Sequence, residues 1–436
     1  MVFRHVVGRA SGRVRLRLPQ GPRRLSAALA PAEVKVDRAV GYWLLGCSGM
    51  VAGMVSVGGM TRLTKSGLSM TEWNLTGRKP PMSKIEWDAE FERYKTFPEW
   101  QQRKSMTLDE FKYIFWWEYG HRQLGRCVGV AFGVPLAYFL ARGRIPAALK
   151  GRMFGLFALG GAQGLIGAWM VQSGLDASPE QRKEIRVSPY RLATHLGMAF
   201  TTYSLLLWTA MDVLRPRQVL EQALEKAAAG RRAALSLGGD ASKAAEVTQG
   251  LAKGLARVRG GAVATLGLVF TTALSGAFVA GNDAGRAFNT FPDMDGQWVP
   301  SGVLELEPLW RNFFENTACV QFDHRCLALA STTAVGLTLA SGGASWAVLP
   351  PHAKAALVGM GGMVCVQASL GVGTLLLYVP IELAAAHQLG SLVLLSVTAL
   401  AAHSLKPVPG LRAAPLIAAG AGALSAPGLA LLATHK

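Results

Sequence analysis

Four histidines recur along the chain as two similar pairs, and their side chains are the ones best suited to chemistry. The first pair is His121 and His195, and the second half of the chain offers His324 in Asp323-His324-Arg325 and His387 in His387-Gln388-Leu389-Gly390. All four lie near one end of an apolar stretch long enough to cross a bilayer. A buried histidine on its own is more often a hydrogen-bonding residue between helices, but duplicated pairs at one membrane depth favour bis-imidazole binding of haem iron. The repeat therefore predicts one haem site in each half.

An acid stands beside only the first pair. Glu118 lies three residues before His121 and shares its helix face, whereas Gln321 takes the corresponding place before His324. A solvated acid at the membrane interface is the simpler alternative. The functional interpretation places the Glu118 carboxylate at the porphyrin edge, as an acid or base or as a stabiliser of positive charge on an oxidised substrate. On that interpretation only the N-terminal site performs chemistry.

Arginines near the same end of the predicted bundle are candidate partners of haem propionates, since the planar guanidinium suits carboxylates. Snorkelling to lipid headgroups is an equally good use of each of them, so the sequence does not rank the five candidates: Arg62, Arg122, Arg126, Arg286 and Arg325. The remaining histidines have no such pairing and are interpreted as surface or terminal residues: His5, His352, His403 and His435.

The composition is that of a membrane protein. Half of the residues are hydrophobic and 17% are charged, which is below the share usual for soluble domains. The net charge of +18 comes mainly from the N-terminal arm and the loops; with no nucleic-acid motif beside it, we interpret it as topology and targeting information and expect no nucleic-acid partner. The five cysteines fall within predicted spans without a Cys-x-x-Cys pair, so neither a structural disulfide nor a thiolate metal site is expected.

Residues 1–38 form an arginine-rich arm with no acidic residue before Glu33. This composition is typical of a mitochondrial transit peptide and lacks the apolar run of a secretory signal. The alternative is a disordered basic arm on the cytoplasmic face of a bacterial membrane protein.

Runs of roughly 20 apolar residues predict an all-α membrane protein with eight transmembrane helices. Basic inner loops place all four histidines toward the outer face by the positive-inside rule. The first outer loop is rich in aromatic residues and is expected to fold over the bundle mouth, and the capping-box spacing of Thr107 and Glu110 predicts a helix start there. The apolar stretch 414–433 is a weaker candidate for a ninth span or a re-entrant segment. The predicted spans are 40–59, 112–140, 153–171, 192–213, 261–281, 314–340, 355–379 and 383–404.

The two halves repeat in order and in local sequence. Gln163 to Gly167 matches Gln367 to Gly371, each on the third span of its half, and residues 57–59 have a loose counterpart in 279–281. Two copies of four helices share one orientation, which predicts two tandem four-helix bundles related by a pseudo-twofold axis along the membrane normal. The predicted domains are a basic arm (1–38), a substrate half (39–214), an inner linker (215–260), a cofactor half (261–405) and a C-terminal tail (406–436).

Several motifs resemble those of the haem A synthase family, in its mitochondrial and alphaproteobacterial-type branch. They are GGMTRLTKSGLSM over 58–70, Glu86-Trp87, Glu90-Phe91, FKYIFWWEYGHR over 111–122, AGNDAG over 280–285 and NTFP over 289–292. The resemblance covers roughly 40–405, and its first and fourth motifs are highly specific. The chain departs from the family in lacking the cysteine pair that some members carry in the first outer loop, and its inner linker is long.

The resemblance implies oxidation of the C8 methyl of haem O to the formyl group of haem A, which cytochrome c oxidase requires. By the same resemblance His121 and His195 would hold the haem being converted, Glu118 would be the essential acid, and His324 and His387 would hold a haem B that passes electrons. It further implies the mitochondrial inner membrane, with the histidine sites toward the intermembrane space. The implied partners are a haem O synthase and cytochrome oxidase assembly factors.

Two other classes of protein fit part of the pattern. A dihaem electron carrier of the cytochrome b kind would leave its haems unchanged, and the contrast between Glu118 and Gln321 argues against it. A transporter or haem chaperone would also show repeats and polar groups in the membrane, but here these groups cluster at one face. The electron donor or acceptor, the oxidation mechanism and homo-oligomer formation are left open by the sequence.

Overall fold

The computed structural model describes residues 36–175, 185–214 and 241–406. Within these ranges the chain is all-helical, with ten α-helices and no β-strand. Several predictions lie outside the described residues: the targeting arm up to residue 35, the linker over 215–240, and the C-terminal tail from 407, which includes 414–433.

In the part of the chain that the structure describes, seven helices are long and apolar enough to cross a membrane, so the chain is a multi-pass membrane protein. An eighth long helix, α5 (Pro189–Leu214), does not reach the mean hydropathy of these seven, because it carries polar residues such as Arg191 and Asp212. Two further helices, α2 (Lys84–Tyr94) and α7 (Asn312–Glu315), lie in the segments that connect the long ones. The seven are α1 (Arg38–Leu63), α3 (Leu108–Ala141), α4 (Ala147–Leu175), α6 (Ala241–Gly281, apolar from Lys253), α8 (Thr317–Ala344), α9 (Pro351–Leu376) and α10 (Ile381–Ser404).

The long helices pack in two similar sets. In the first, α1 packs on α3 and α5, and α4 packs on α5 and α3; in the second, α6 packs on α8 and α10, and α9 packs on α10 and α8. Helices α5 and α6, and likewise α1 and α10, pack on each other between the sets. Small residues permit these close approaches; for example, a Cβ added to Gly261 of α6 would lie 2.8 Å from Oγ1 of Thr338 in α8.

Helix α3 begins where its capping box predicts. The Thr107 hydroxyl accepts a hydrogen bond from the Glu110 backbone N–H, and the Glu110 carboxylate accepts one from the Thr107 backbone N–H at 2.7 Å. The two residues thus satisfy backbone donors that an uncapped helix would leave without partners.

The last part of the predicted inner linker is helical. The sequence predicted a solvated linker over 215–260, and helix α6 already begins at Ala241. This part is rich in Ala and also contains Lys and Arg. These residues are strong helix formers and also occur in linkers, and composition alone did not separate the two uses.

The first outer segment is folded, as its aromatic content predicts. Met70 and Tyr94 pack with Phe111, Ile114 and Phe115 in a buried cluster that joins this segment to the start of α3. The aromatic side chains that pack around the cluster are Trp87, Phe91, Phe97, Trp100 and Tyr119.

His403 is not a surface residue, so that prediction is wrong. Its ring is 8% exposed, and its Nε2 lies 2.9 Å from Oδ1 of Asp212. The Asp212 carboxylate also accepts hydrogen bonds from Lys406 and Arg152, both at 2.8 Å. This ionic cluster joins α4, α5 and the end of α10, far along the helices from the histidine pairs. Sequence periodicity could not reveal it because its partners come from distant parts of the chain.

A buried acid lies in the outer segment. Glu99 is 5% exposed and accepts a hydrogen bond from the Tyr94 hydroxyl at 3.1 Å, while the Arg103 guanidinium lies 3.7 Å from its other oxygen. Burial raises the pKa of the Glu99 carboxyl above its usual range, although Arg103 acts in the opposite direction.

We expect Glu99→Gln to stabilise the outer segment at neutral pH. Because its pKa is raised in the folded protein, Glu99 contributes stability at low pH that is lost as the pH rises through the folded pKa. The neutral amide avoids this loss, so the variant should gain over wild type as the pH increases. Amide hydrogen exchange across residues 84–107 measures the effect, and exposed Glu92→Gln serves as the control. A variant that exchanges faster than wild type at neutral pH would contradict this account.

Candidate functional site

Each of the four paired histidines lies against a glycine of a neighbouring helix. A Cβ added to the glycine would come within 2.9 to 3.3 Å of the Cε1 atom of the imidazole, closer than an ordinary van der Waals contact. The glycines therefore make room for the rings. The pairs are Gly58 of α1 with His121 of α3, Gly167 of α4 with His195 of α5, Gly276 of α6 with His324 of α8, and Gly371 of α9 with His387 of α10.

The same glutamine contact supports the second histidine of each pair. Gln163 Nε2 donates to the His195 carbonyl at 2.9 Å and lies 3.2 Å from His195 Nδ1. Gln367 Nε2 makes the corresponding contacts with His387 at 2.9 and 3.1 Å. The Oε1 atoms of both glutamines are buried without a hydrogen-bond partner in the described part of the chain. The Gln-x-x-x-Gly motif thus supplies both the ring support and the ring space.

The first histidines of the two pairs are supported differently. Ser275 Oγ donates to the Thr272 carbonyl at 2.8 Å and lies 2.7 Å from His324 Nδ1. Since the hydroxyl proton is used, this oxygen accepts the Nδ1–H of His324, which leaves Nε2 as the ring's lone-pair nitrogen. In α1, Val57 precedes Gly58 as Ser275 precedes Gly276, and valine offers no such acceptor.

The spacing of the second pair fits an iron between its rings. The centroids of His324 and His387 lie 6.4 Å apart, with the ring planes at 84°. A metal–imidazole bond is about 2 Å long and the ring centre lies about 1 Å beyond the nitrogen, so two imidazoles on opposite sides of one ion have centres about 6 Å apart. In the first half, His195 lies within electrostatic range of His121. The described structure thus brings each predicted pair together.

The first helices of the two halves, α1 and α6, correspond in a register that differs by one helical turn from the predicted one. Residues 57–59 were matched with 279–281, but the histidine contacts make Gly276 the counterpart of Gly58. The helix ends agree with this register, because Lys65 and Asp283 both have a φ of 52° just beyond α1 and α6. The weak motif of small residues fitted both registers, and only the contacts with the histidines separate them.

Glu118 is buried beside the first pair. It is 4% exposed, and its Oε1 accepts a hydrogen bond from Arg122 Nε at 2.5 Å. The simpler alternative of a solvated interfacial acid does not fit this burial. Gln321 is also buried, at 3%; its amide donates to the carbonyls of Ala284 and Ala287, and its Oε1 accepts from Arg325 at 2.9 Å.

The two arginines that follow the first histidines tie the outer segments to the histidine helices. Arg122 donates to the carbonyls of Met70 at 2.5 Å and Glu72 at 2.7 Å. Arg325 donates to the carbonyls of Phe288 and Asp293, both at 2.8 Å. Much of the hydrogen-bonding capacity of these guanidinium groups is therefore used within the protein.

The other three candidate arginines differ in their surroundings. Arg62 donates to the Ala280 carbonyl at 2.6 Å and pairs with Asp283 at 3.2 Å, which connects α1 to the end of α6. Arg126 donates to the carbonyls of Asn74 and Leu75. Arg286 is exposed, and within the described ranges its guanidinium has no hydrogen-bond partner.

A cavity beside α3 contains arginines that the sequence did not single out. Arg78 and Arg93 line it together with Arg122 and Arg126. The two come from the folded outer segment, where both pair with Glu90. Only the fold of that segment brings them to Arg122, so no local motif could have identified them.

These features define a polytopic helical membrane protein with duplicated histidine pairs near one end of its helices. The chain belongs to the cytochrome oxidase assembly protein family, which matches residues 41–399. The family resemblance seen in the sequence is confirmed.

Relatives from several groups of organisms match most of the chain. Heme A synthase COX15 of Arabidopsis thaliana is 46% identical over 378 residues, which cover 85% of this chain and 76% of the relative. Heme A synthase COX15 of Bos taurus is 46% identical over 375 residues, with coverages of 86% and 83%. Heme A synthase of Nitrosospira multiformis is 41% identical over 373 residues, with coverages of 85% and 94%.

We expect Gly371→Ala to displace His387 and to lower retention of the haem predicted for the second half about tenfold, the lower end of the effect of disturbing a metal ligand's surroundings. The added methyl group would lie 2.9 Å from His387 Cε1, whereas a methyl group at Gly373 of the same helix meets open space. Gly373→Ala is therefore the matched control. Haem per polypeptide, read from the pyridine haemochrome spectrum, measures the effect; equal haem content in the two variants would contradict the ring-space role.

Proposed function

We propose that the chain is a haem A synthase that oxidises the C8 methyl group of haem O to the formyl group of haem A. The observation that carries this proposal is the buried Glu118 beside the first histidine pair, where the second half has the neutral Gln321. Relatives named Heme A synthase, at 41 to 46% identity over most of the chain, support it.

We further propose that α5 is an eighth span and that the chain forms two tandem four-helix bundles, over 39–214 and 261–405, related by a pseudo-twofold axis. Helix α5 carries His195 against Gln163 and Gly167, just as α10 carries His387 against Gln367 and Gly371. Helices in equivalent roles are expected at equivalent depth in the membrane.

In this proposal His121 and His195 bind the substrate haem, while His324 and His387 bind haem B. The His324 and His387 rings have the required spacing, and the Nδ1 contact with Ser275 leaves His324 Nε2 for the iron. Haem B, when bound, accepts and passes on electrons. The exposed Arg286 is the candidate with the most hydrogen-bonding capacity left for a propionate, and Arg62, Arg122, Arg126 and Arg325 hold backbone carbonyls as well.

The conversion of methyl to formyl removes four electrons and adds one oxygen atom, so protons must leave the carbon. Glu118 lies one helical turn from His121, where its carboxylate can accept such a proton or stabilise positive charge on the oxidised carbon. Arg122 orients the carboxylate through one oxygen and leaves the other available to the substrate.

The proposed location is the mitochondrial inner membrane, with the histidine ends facing the intermembrane space. The arginine-rich, acid-poor sequence before residue 38 supports import, and the basic residues between α3 and α4 support the orientation. The proposed partners are a haem O synthase that supplies the substrate, cytochrome oxidase assembly factors and an electron acceptor.

We expect Glu118→Gln to reduce haem A formation at least about 100-fold, the usual loss when a general acid or base is removed, and haem O to accumulate. The amide can still accept the Arg122 hydrogen bond, so the fold should persist. Chromatography of extracted haems from a host that produces haem O measures the effect, and Glu382→Gln, at an exposed acid of α10, is the control. Wild-type protein that carries haem B alone and forms no haem A would overturn the proposal in favour of an electron carrier, and a colourless protein would favour a transporter.

We expect the histidines of the two halves to hold different haems. His324→Ala or His387→Ala should remove most of the haem B, because that site would lose one of the two residues proposed to hold it, and should leave haem O and haem A bound. His121→Ala or His195→Ala should have the reverse effect. The same chromatography measures both haems, and equal loss of haem B from all four variants would contradict the division of roles.

A further inference from the structure

The four histidines are held unequally. At three of them a side chain of a neighbouring helix contacts Nδ1: Gln163 at His195, Gln367 at His387 and Ser275 at His324. Within the described residues, no hydrogen bond reaches the His121 ring. The difference follows from one residue, because α1 has Val57 where α6 has Ser275.

Packing does not explain the difference. The glycine behind His121 and the glycine behind His324 stand equally close to their rings, since an added Cβ would lie 3.3 Å from Cε1 in both cases. The two glycines thus leave equal room at Cε1, but the rings are turned differently, because Nε2 would lie 3.3 Å from the added Cβ at His121 and 4.0 Å from it at His324.

A group that accepts a hydrogen bond from Nδ1–H fixes the orientation and tautomer of a metal-binding imidazole and makes it a stronger ligand. Removal of such a partner commonly lowers metal affinity 10- to 100-fold. The Ser275 oxygen is such an acceptor for His324, whereas the Nε2 groups of Gln163 and Gln367 are donors. His121 therefore lacks the support that its counterpart His324 has, although it lies beside Glu118.

We propose that the first half releases its haem more readily than the second, because His121 lacks the hydroxyl support that Ser275 gives His324, and that Val57 sets this lability. This rests on the proposed function, in which the first half must empty at every turnover and the second keeps its haem. Release breaks the bond from iron to each of the two histidines; the nitrogens keep their electron pairs, and no electron or proton is transferred.

The experiment tests the residue types at positions 57 and 275. Purified protein loaded with both haems is mixed with excess apomyoglobin, and haem transfer is followed by absorbance, with the transferred haems identified by chromatography. The variants are Val57→Ser, which supplies the hydroxyl, Val57→Ala, which makes a similar reduction in size without one, and Ser275→Ala, which removes it from the second half.

We expect the first-half haem of wild type to leave about tenfold faster than haem B, in line with the loss of one such partner. Val57→Ser should slow that release several-fold, whereas Val57→Ala should not slow it, and Ser275→Ala should speed haem B release about tenfold. These rates do not depend on turnover, and a merely structural role of residue 57 would affect the serine and alanine variants alike.

Failure of this inference can be distinguished from failure of the proposed function. If both haems are bound but Val57→Ser releases its first-half haem as fast as Val57→Ala, the inference is wrong and the proposed function stands. If the first half binds neither haem O nor haem A in any variant, the proposed function fails and the inference fails with it.

Discussion

The structure depends on placing imidazole rings between membrane helices, where every ring needs space and three of the four also have a polar partner. A glycine backbone provides the space, because any side chain at that position would meet the ring. Where a polar partner is present, it comes from the same neighbouring helix, one residue before the glycine in α6 and one helical turn before it in α4 and α9. The need for space sets which helices pack together and in what register.

The same constraint explains how the outer segments are positioned. The first histidine helix of each half, α3 and α8, carries an arginine directly after its histidine, and Arg122 and Arg325 bind backbone carbonyls of the segment from their own half. The segments are thus attached within one residue of the candidate ligands. The aromatic cluster around Tyr94 and Phe111 strengthens this attachment in the first half, so the entrance to that site is built from folded chain.

The sequence predicted the features that local pattern determines. The histidine pairs, the glutamine motif and the capping box at Thr107 could be read directly, because each depends on residues a few positions apart. The features that were missed depend on contacts between distant residues. Ser275 was missed because the first helices were aligned one turn away, and His403 because its partner Asp212 lies on another helix. The extent of α6 was missed for a different reason, since its polar helix-forming residues also suit a linker.

The contrast between Glu118 and Gln321 separates what the fold needs from what chemistry needs. Both side chains are buried, and both accept a hydrogen bond from the arginine one turn later. The second half shows that a neutral amide performs this structural task, and burying a charged pair costs several kcal/mol in desolvation that its mutual attraction repays only in part. Stability therefore does not account for a carboxylate at position 118. The need for a group that can exchange a proton beside His121 does account for the carboxylate. The His121 ring, which has no hydrogen-bond partner within the described residues, lies in the same half. The half that carries the acid is also the half proposed to release its haem more readily, as expected for a site where haem is changed and then let go.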